Sequence, residues 1–418
     1  MPKALYLCYF SLREPLVQTQ VLPYLREIKK GGIEIFLLTF EPNPQKNWTK
    51  EQLEAEKRKL ADEGIYWDFL TYHKKPSVPA TLFDILCGAF YAWRLARKQK
   101  IDIFHARVHV PAMMGALARL FILDKKKPKL LFDIRGFFPE EYVDAGIWKE
   151  NGLIYKSAKK VERWLIKQSD GFVVLTERAR EILFPESKET GYDIKGRPVE
   201  VIPCCVDFNR FSSVDENLRQ KMRQKLNLQN RFVIVYAGAL GGWYMTEETA
   251  RFFETAKQRY PNVFAMVLTQ SNPEKIKKLL LEKGFKEEDF LIRKVSVNEI
   301  PSYLSACDVA ISFIKPCYSK QASSPTKNAE YLICGLPIVS NDGIGDTSLF
   351  INEDKTGVIM KDFSKESYEE VLRKIEEMLK ERDELSRRCV ESAKKRFDLE
   401  KVGGERYRRL YARLLNIT

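Results

Sequence analysis

Short unbroken apolar runs, each followed by a stretch of helical spacing, recur along the whole chain. Residues 4–10 (ALYLCYF) form the first run. Residues 21–30 then place apolar positions three and four apart, Gly31 and Gly32 end that stretch, and 33–40 (IEIFLLTF) is the next run. Runs rich in branched and aromatic residues suit strands buried on both faces, and strand, helix, strand is the repeating piece of a doubly wound sheet. The same alternation predicts strands at 101–105, 129–134, 171–176 and 199–203, with helices at 111–123 and 154–168. Residues 41–64, rich in Lys and Glu, read as a charged surface helix.

The pattern then begins again. After a polar, helix-prone segment, strands are predicted at 232–236, 263–268, 289–294, 309–313, 337–340 and 357–360, with helices at 247–259, 273–283, 298–306 and 326–333 between them. The expected fold class is α/β, two Rossmann-like doubly wound parallel-sheet domains at 1–206 and 232–390, joined by a linker at 207–231. From 365 onward the chain reads as charged helix. Tyr407, Leu410, Tyr411 and Leu414 recur there at helical spacing, so the last helix, within 391–418, is expected to lay an apolar face on a domain already formed.

Length agrees with two domains, since 418 residues exceed one common core. A net charge of +13 directs attention to anionic partners: a nucleotide diphosphate, the headgroups of an inner membrane leaflet, or nucleic acid. The longest apolar stretches, 80–95 and 111–123, are interrupted by Asp84, Arg94 and Arg119, so neither is expected to span a membrane. The first run already reads as a strand, so no leader is expected and the mature protein should be the whole chain. Eight cysteines without C-x-x-C spacing suggest neither a disulfide framework nor a zinc site, which fits a reducing cytoplasm.

The densest chemistry lies at 323–344 (SSPTKNAEYLICGLPIVSNDGI). Pro325 and Thr326 suit the opening of a helix, and Gly335 with Pro337 its end. The helix amides and positive dipole end favour an anion beside Ser324 and Thr326, where Lys327 adds a full charge. Glu330 shares that face, so the lysine can meet a diphosphate while the glutamate meets a sugar hydroxyl. An ordinary capped helix with a solvated Lys–Glu pair is the competing account. Two further loops belong with this stretch. In the turn 237–244 (AGALGGWY), Gly238, Gly241 and Gly242 let the backbone approach a ligand. Ser296 and Val297 open a loop at the carboxyl ends of the strands, where a nucleobase can bond the backbone.

In the first half, 133–148 (DIRGFFPEEYVDAGIW) begins as a strand ends. Asp133 and Arg135 are expected at the edge of a cleft, with Glu140, Glu141 and Asp144 beyond them as an acceptor site. His105 should end its strand, with Arg107 and His109 in the following loop. Four-residue spacing joins two histidines on one metal only along a helix, so no metal is expected here, and the alternatives are cleft-lining groups or a structural His105.

The two Rossmann-like halves, the AGALGG turn opening the second, and PTKNAEYLICGLPIV followed by GIGD together resemble the retaining glycosyltransferases of the GT-B architecture, most closely family 4, the glycosyl transferases group 1. The resemblance covers nearly the whole chain. It implies two domains facing a central cleft, a nucleotide-sugar donor against the second, an acceptor against the first, and a final helix crossing back to the first. It implies neither metal nor cofactor, the UDP- or GDP-linked sugar being a co-substrate. The donor would be held by Gly241, Gly242, Ser296, Val297, Ser324, Thr326, Lys327 and Glu330. Of these, Glu330 matches the second glutamate of the family's paired motif, which holds the donor ribose. Ala322 stands where the first glutamate belongs, and Trp243, Tyr244 and Met245 occupy the place of the basic residue that usually follows the glycine turn; Lys327, assisted by Lys320, is expected to supply that charge. Catalytic roles are expected of Asp133, Arg135, His105 and Lys327, and acceptor contacts of Arg107, Glu140 and Glu141.

The expected function is metal-independent transfer of a sugar to a glycan or lipid-linked acceptor in cell-surface polysaccharide synthesis, in the cytoplasm at the inner face of the membrane. A nucleotide-sugar 2-epimerase shares the architecture but needs more cleft histidines and carboxylates than a chain with three histidines offers. A non-catalytic nucleotide-sugar binder on the same fold is the other alternative. Nucleic acid is not expected, because Lys and Arg are spread through both halves without a recognition motif. Arg94, Arg97, Lys98 and Lys100 after one apolar stretch and Lys125, Lys126 and Lys127 after another suit peripheral contact with an anionic membrane, or simply a solvated basic surface.

Overall fold

Two sheets, each with every neighbouring pair of strands parallel, organise the chain in a computed structural model that describes residues 1–124 and 126–417. Lys125 and Thr418, each part of an expectation above, lie outside the described residues. The first sheet contains β1 (Lys3–Leu7), β2 (Glu34–Pro42), β3 (Ile65–Tyr72), β4 (Ile103–Arg107), β5 (Lys129–Ile134), β6 (Gly171–Val174) and β7 (Val199–Val201), in the order β3-β2-β1-β4-β5-β6-β7. The second contains β8 (Phe232–Ala237), β9 (Val263–Leu268), β10 (Phe290–Arg293), β11 (Val309–Ser312), β12 (Ile338–Asn341) and β13 (Gly357–Met360), in the order β10-β9-β8-β11-β12-β13. Both orders reverse beside their first strand, at β1/β4 and β8/β11, and ligands of such sheets bind beyond the strand ends at that reversal.

Why these runs are strands shows in β8. Val233, Val235 and Ala237 enter one core while Ile234 and Tyr236 enter the other, so helices on both faces require apolar residues at successive positions. The strand that the apolar pattern missed is β3. It lies at the sheet edge, with Tyr66 and Thr71 exposed, and its mixed composition reflects incomplete burial. The run predicted at 101–105 forms its strand two residues later, which places Arg107 inside β4 and makes His109 the first residue of the helix His109–Leu120.

One compact unit comprises Met1–Pro203 with Leu399–Thr418, and the other Cys204–Asp398. The segment expected as a linker is therefore part of the second unit. Its helix Glu216–Lys225 buries Met222, and Leu228 follows it into the same core. The charged face of that helix is also used: Asp308, buried at the start of β11, accepts hydrogen bonds from Arg219 (2.7 Å), Arg223 (3.3 Å), Arg382 (2.7 Å) and the Val233 amide (2.8 Å). Burial alone would raise its carboxyl pKa, but the arginines and that amide hold it below the ordinary range. Asp308→Ala takes the carboxylate from three guanidinium groups, which keep backbone carbonyl partners, and leaves the Val233 amide without it, so it is expected to cost about 3 kcal/mol. It should lower the urea midpoint of the second unit; an unchanged midpoint would mean that the arginines find other partners.

Candidate functional site

In the second unit the glycine turn after β8 and the helix Thr326–Ile333 are held in register by Tyr331, whose hydroxyl accepts from the Ala237 amide at 2.7 Å. The helix starts at Thr326 with Pro325 as N-cap and no capping side chain; Thr326 is the first helical residue rather than the cap. Lys327 sits one residue in, only 8% exposed. Its Nζ makes no hydrogen bond among the described residues and lies 4.2 Å from the centre of the Tyr236 ring and 4.8 Å from that of Tyr244. Glycine suits the position opposite it, because Gly238 has a φ of 140°, and a Cβ there would stand 3.1 Å from that nitrogen. Burial among these rings lowers the Lys327 pKa to about 7, against the opposing pull of Glu330.

The rest of the turn faces open space. Gly241 and Gly242 have φ of 75° and 58°, and a Cβ on either would meet nothing within 4 Å. The Leu240 amide donates to Ser271 Oγ (3.0 Å) and the Gly241 amide to Thr246 Oγ1 (2.9 Å), which fixes the loop from behind. Lys320, on the turn Tyr318–Ala322, places its ammonium 4.1 Å from the Trp243 ring centre. The charge expected to assist Lys327 thus comes to the same turn. Ala322 is buried at the end of that segment.

Glu330 pairs with Arg210 at 3.5 Å, and Arg210 Nη2 donates to the Val297 carbonyl at 2.7 Å. One arginine therefore joins the glutamate to the loop expected to meet the base. Burial raises the Glu330 pKa, with Arg210 working against it. Arg210 carried no sequence signal, since it lies in the polar stretch read as a linker. Two predicted contacts are already engaged: Ser324 Oγ accepts from the Cys204 amide (3.1 Å), and the Ser296 amide and hydroxyl both donate to Glu299 (2.8 and 2.7 Å).

The first unit corrects an expectation. Asp133 and His105 do not stand at an open edge; both are fully buried. Tyr407 and Tyr411, on the helix Glu405–Leu415, cover them. Tyr407 donates to Asp133 Oδ2 at 3.0 Å, and the Tyr411 hydroxyl lies 2.8 Å from His105 Nδ1. His105 Nε2, Arg135 and Arg107 stand 3.5, 3.6 and 3.8 Å from the same carboxylate. Burial would raise its pKa, but Arg135, His105 and Arg107 outweigh it and hold Asp133 at about 2, while burial lowers His105. The carboxylate and the imidazole, sealed by that helix, are tied to it through the two tyrosine hydroxyls. Arg107 is buried too and donates to the Gln20 carbonyl (3.3 Å). Glu140 pairs with Lys159 (3.0 Å) and accepts from Tyr155 (3.1 Å), while Glu141 lies against Gly136. His109 meets Glu162 at 3.1 Å, so the two histidine rings serve different partners.

Family models match the two halves side by side: "Glycosyltransferase Family 4" over residues 17–210 and "Glycosyl transferases group 1" over 219–396. The chain is a group 1 glycosyltransferase. The fold is found in solved structures at low identity. Anabaena HepE, in complex with UDP and glucose, is 14% identical with a TM-score of 0.68, covering 100% of both chains. Sucrose-phosphate synthase of Thermosynechococcus elongatus is 14% identical with a TM-score of 0.70, again over 100% of both. WaaG, a glycosyltransferase of lipopolysaccharide biosynthesis, is 16% identical with a TM-score of 0.62, over 98% of this chain and 99% of its own. A search of curated proteins finds no match.

Lys327 gives the glycosyltransferase a stability signature. Its folded pKa, about 7, lies below the ordinary 10.5, so stability falls as pH drops from 10.5 towards 7 and is level below that. Lys327→Met removes the charge while keeping the length, and at pH 7 without nucleotide it is expected to stabilise the fold by a few kcal/mol, read as a higher melting temperature. A variant that melts lower would show that the ammonium is a structural tie.

Proposed function

We propose that this glycosyltransferase takes its sugar from a nucleoside diphosphate held by the second unit, with the diphosphate at Lys327 and the helix end of Thr326, and the ribose at Glu330. The observation that carries the reading is the buried Lys327 ammonium without a hydrogen bond, placed under a glycine turn. An anion is the partner such a group lacks, and in so dry a setting the pairing is worth more than in water. Gly241 and Gly242 give the backbone of the turn access to the donor, and the Val297 loop, joined to Glu330 through Arg210, suits the base, UDP or GDP.

The chemistry then needs little more from the protein. The bond between the sugar's C1 and the diphosphate oxygen breaks, and negative charge grows on the leaving group, where Lys327, Lys320 and the helix amides neutralise it. The acceptor oxygen bonds C1 on the face being vacated, its proton passes to the departing phosphate, and the configuration is retained. We assign no direct part to Asp133 or His105, which act by positioning the helix Glu405–Leu415. The acceptor is a glycan or lipid-linked sugar. The stacked pair Tyr142 and Trp148, 4.3 Å between ring centres and half-buried, suits the apolar face of a sugar. The reaction belongs to the cytoplasmic side of a membrane, in surface glycan synthesis.

Calorimetry with a nucleotide sugar tests the site. Lys327→Met should weaken binding roughly ten- to hundredfold, as loss of a charged contact does, and Glu330→Gln should weaken it less. Wild-type affinity in Lys327→Met would overturn the assignment. Binding should also be pH-dependent: an anion beside Lys327 raises its pKa from about 7, so binding takes up a proton above that pH. Affinity is expected to fall as pH rises past neutrality, by up to about tenfold per unit, and the slope should be absent from Lys327→Met.

A further inference from the structure

The helix Ser77–Gln99 in the first unit is amphipathic in the wrong sense for a helix that only serves a core. Its buried apolar positions are mostly small: Ala80, Gly88, Ala89, Ala92 and Ala96, with Ile85 the one large exception. Val78, Leu82, Phe83, Leu86 and Phe90 are each more than half exposed. Close packing forbids the exchange, since a Cβ on Gly88 would run into Met114 of the neighbouring helix. At about 100° per residue, Leu82, Leu86, Phe90, Trp93 and Arg97 fall along one strip. The strip continues past the helix: Trp93 Nε1 donates to the Phe121 carbonyl at 3.2 Å, and Phe121 and Leu123 are exposed there. An apolar surface this continuous marks a docking face.

The charges beside it choose the partner. Lys74 and Lys75 precede the helix, and Arg94, Arg97, Lys98 and Lys100 close it, all exposed. Between His73 and Lys100 the single acid is Asp84, which is buried and bonded to Tyr9 (2.7 Å) and His73 (2.6 Å). At the far end of the helix a cavity of about 630 Å³ is lined by Lys3, Arg97, Lys100, Lys126 and Lys127, with Asp102 and Asp124 as its acids. Asp102 already meets Lys126 at 3.0 Å. We propose that this face docks on an anionic lipid bilayer, with the Leu82–Leu86–Phe90 strip among the acyl chains and the basic end of the helix at the headgroups, the cavity taking a lipid phosphate. A second copy of the chain would bring the same basic rim against itself, on a protein of net charge +13. Among the described residues no helix is long and apolar enough to cross a membrane, so the contact is a surface one.

Flotation of the full chain with phosphatidylcholine vesicles, and with vesicles about one-third phosphatidylglycerol, tests this. The protein should float with the anionic vesicles, far less with the neutral ones, and less in high salt. Leu86→Glu/Phe90→Glu should reduce flotation by about tenfold or more while leaving the melting temperature and nucleotide-sugar affinity unchanged, and Arg97→Glu/Lys98→Glu should reduce it too. Equal flotation with both vesicle types, no flotation with either, or flotation untouched by both variants would overturn the proposal. A dimer in gel filtration that Leu86→Glu/Phe90→Glu converts to monomer, without flotation of the wild type, would assign the face to a second copy instead. None of these readouts depends on where the donor binds.

Discussion

A cation kept out of water without a hydrogen-bond partner is the constraint around which the second unit is arranged. Burying an ammonium is unfavourable, and that cost is what lowers the Lys327 pKa. Gly238 takes a φ of 140° that side chains rarely adopt, two tyrosines offer ring faces in place of a counter-ion, and Tyr331 hooks the lysine's helix to the end of β8. The strand order reverses between β8 and β11, beside the turn that follows β8, and ligands of such sheets bind beyond the strand ends there.

The first unit holds an ionic cluster of the opposite kind. Asp133 has Arg135, Arg107 and His105 within 3.8 Å of its carboxylate and accepts a hydrogen bond from the Tyr407 hydroxyl at Oδ2, while Oδ1 accepts none among the described residues. Counter-charges of the protein's own stand beside Asp133, whereas the partner of Lys327 is left to the donor we propose.

The sequence made most of the sheets legible, because a strand covered on both faces must be apolar at consecutive positions. Where that condition fails, the signal fails: β3 at the edge tolerates Asp68 and Thr71 and so leaves no continuous run. Lys327 and Glu330 stood out as candidates from helix position and from the family motif together, whereas Arg210 did not, since nothing local distinguishes an arginine that reaches Glu330 from one in solvent. Asp133 was misjudged for a related reason. A strand end is exposed unless something covers it, and the cover comes from Tyr407 and Tyr411, hundreds of residues later in the chain. Proximity of that range leaves no trace in local spacing.

That late cover also orders the events of synthesis. The chain leaves the first unit at Pro203, builds the whole second unit, and returns only at Leu399, just after Val206 and Asp398 form a parallel bridge between the outgoing and incoming segments. Until the ribosome has delivered residues 405–415, the carboxylate and imidazole at the heart of the earlier-made unit have no lid. The portion translated first is thus the portion finished last, and a released chain that ended at residue 398 would carry every residue of the second unit while the first lacked its cover.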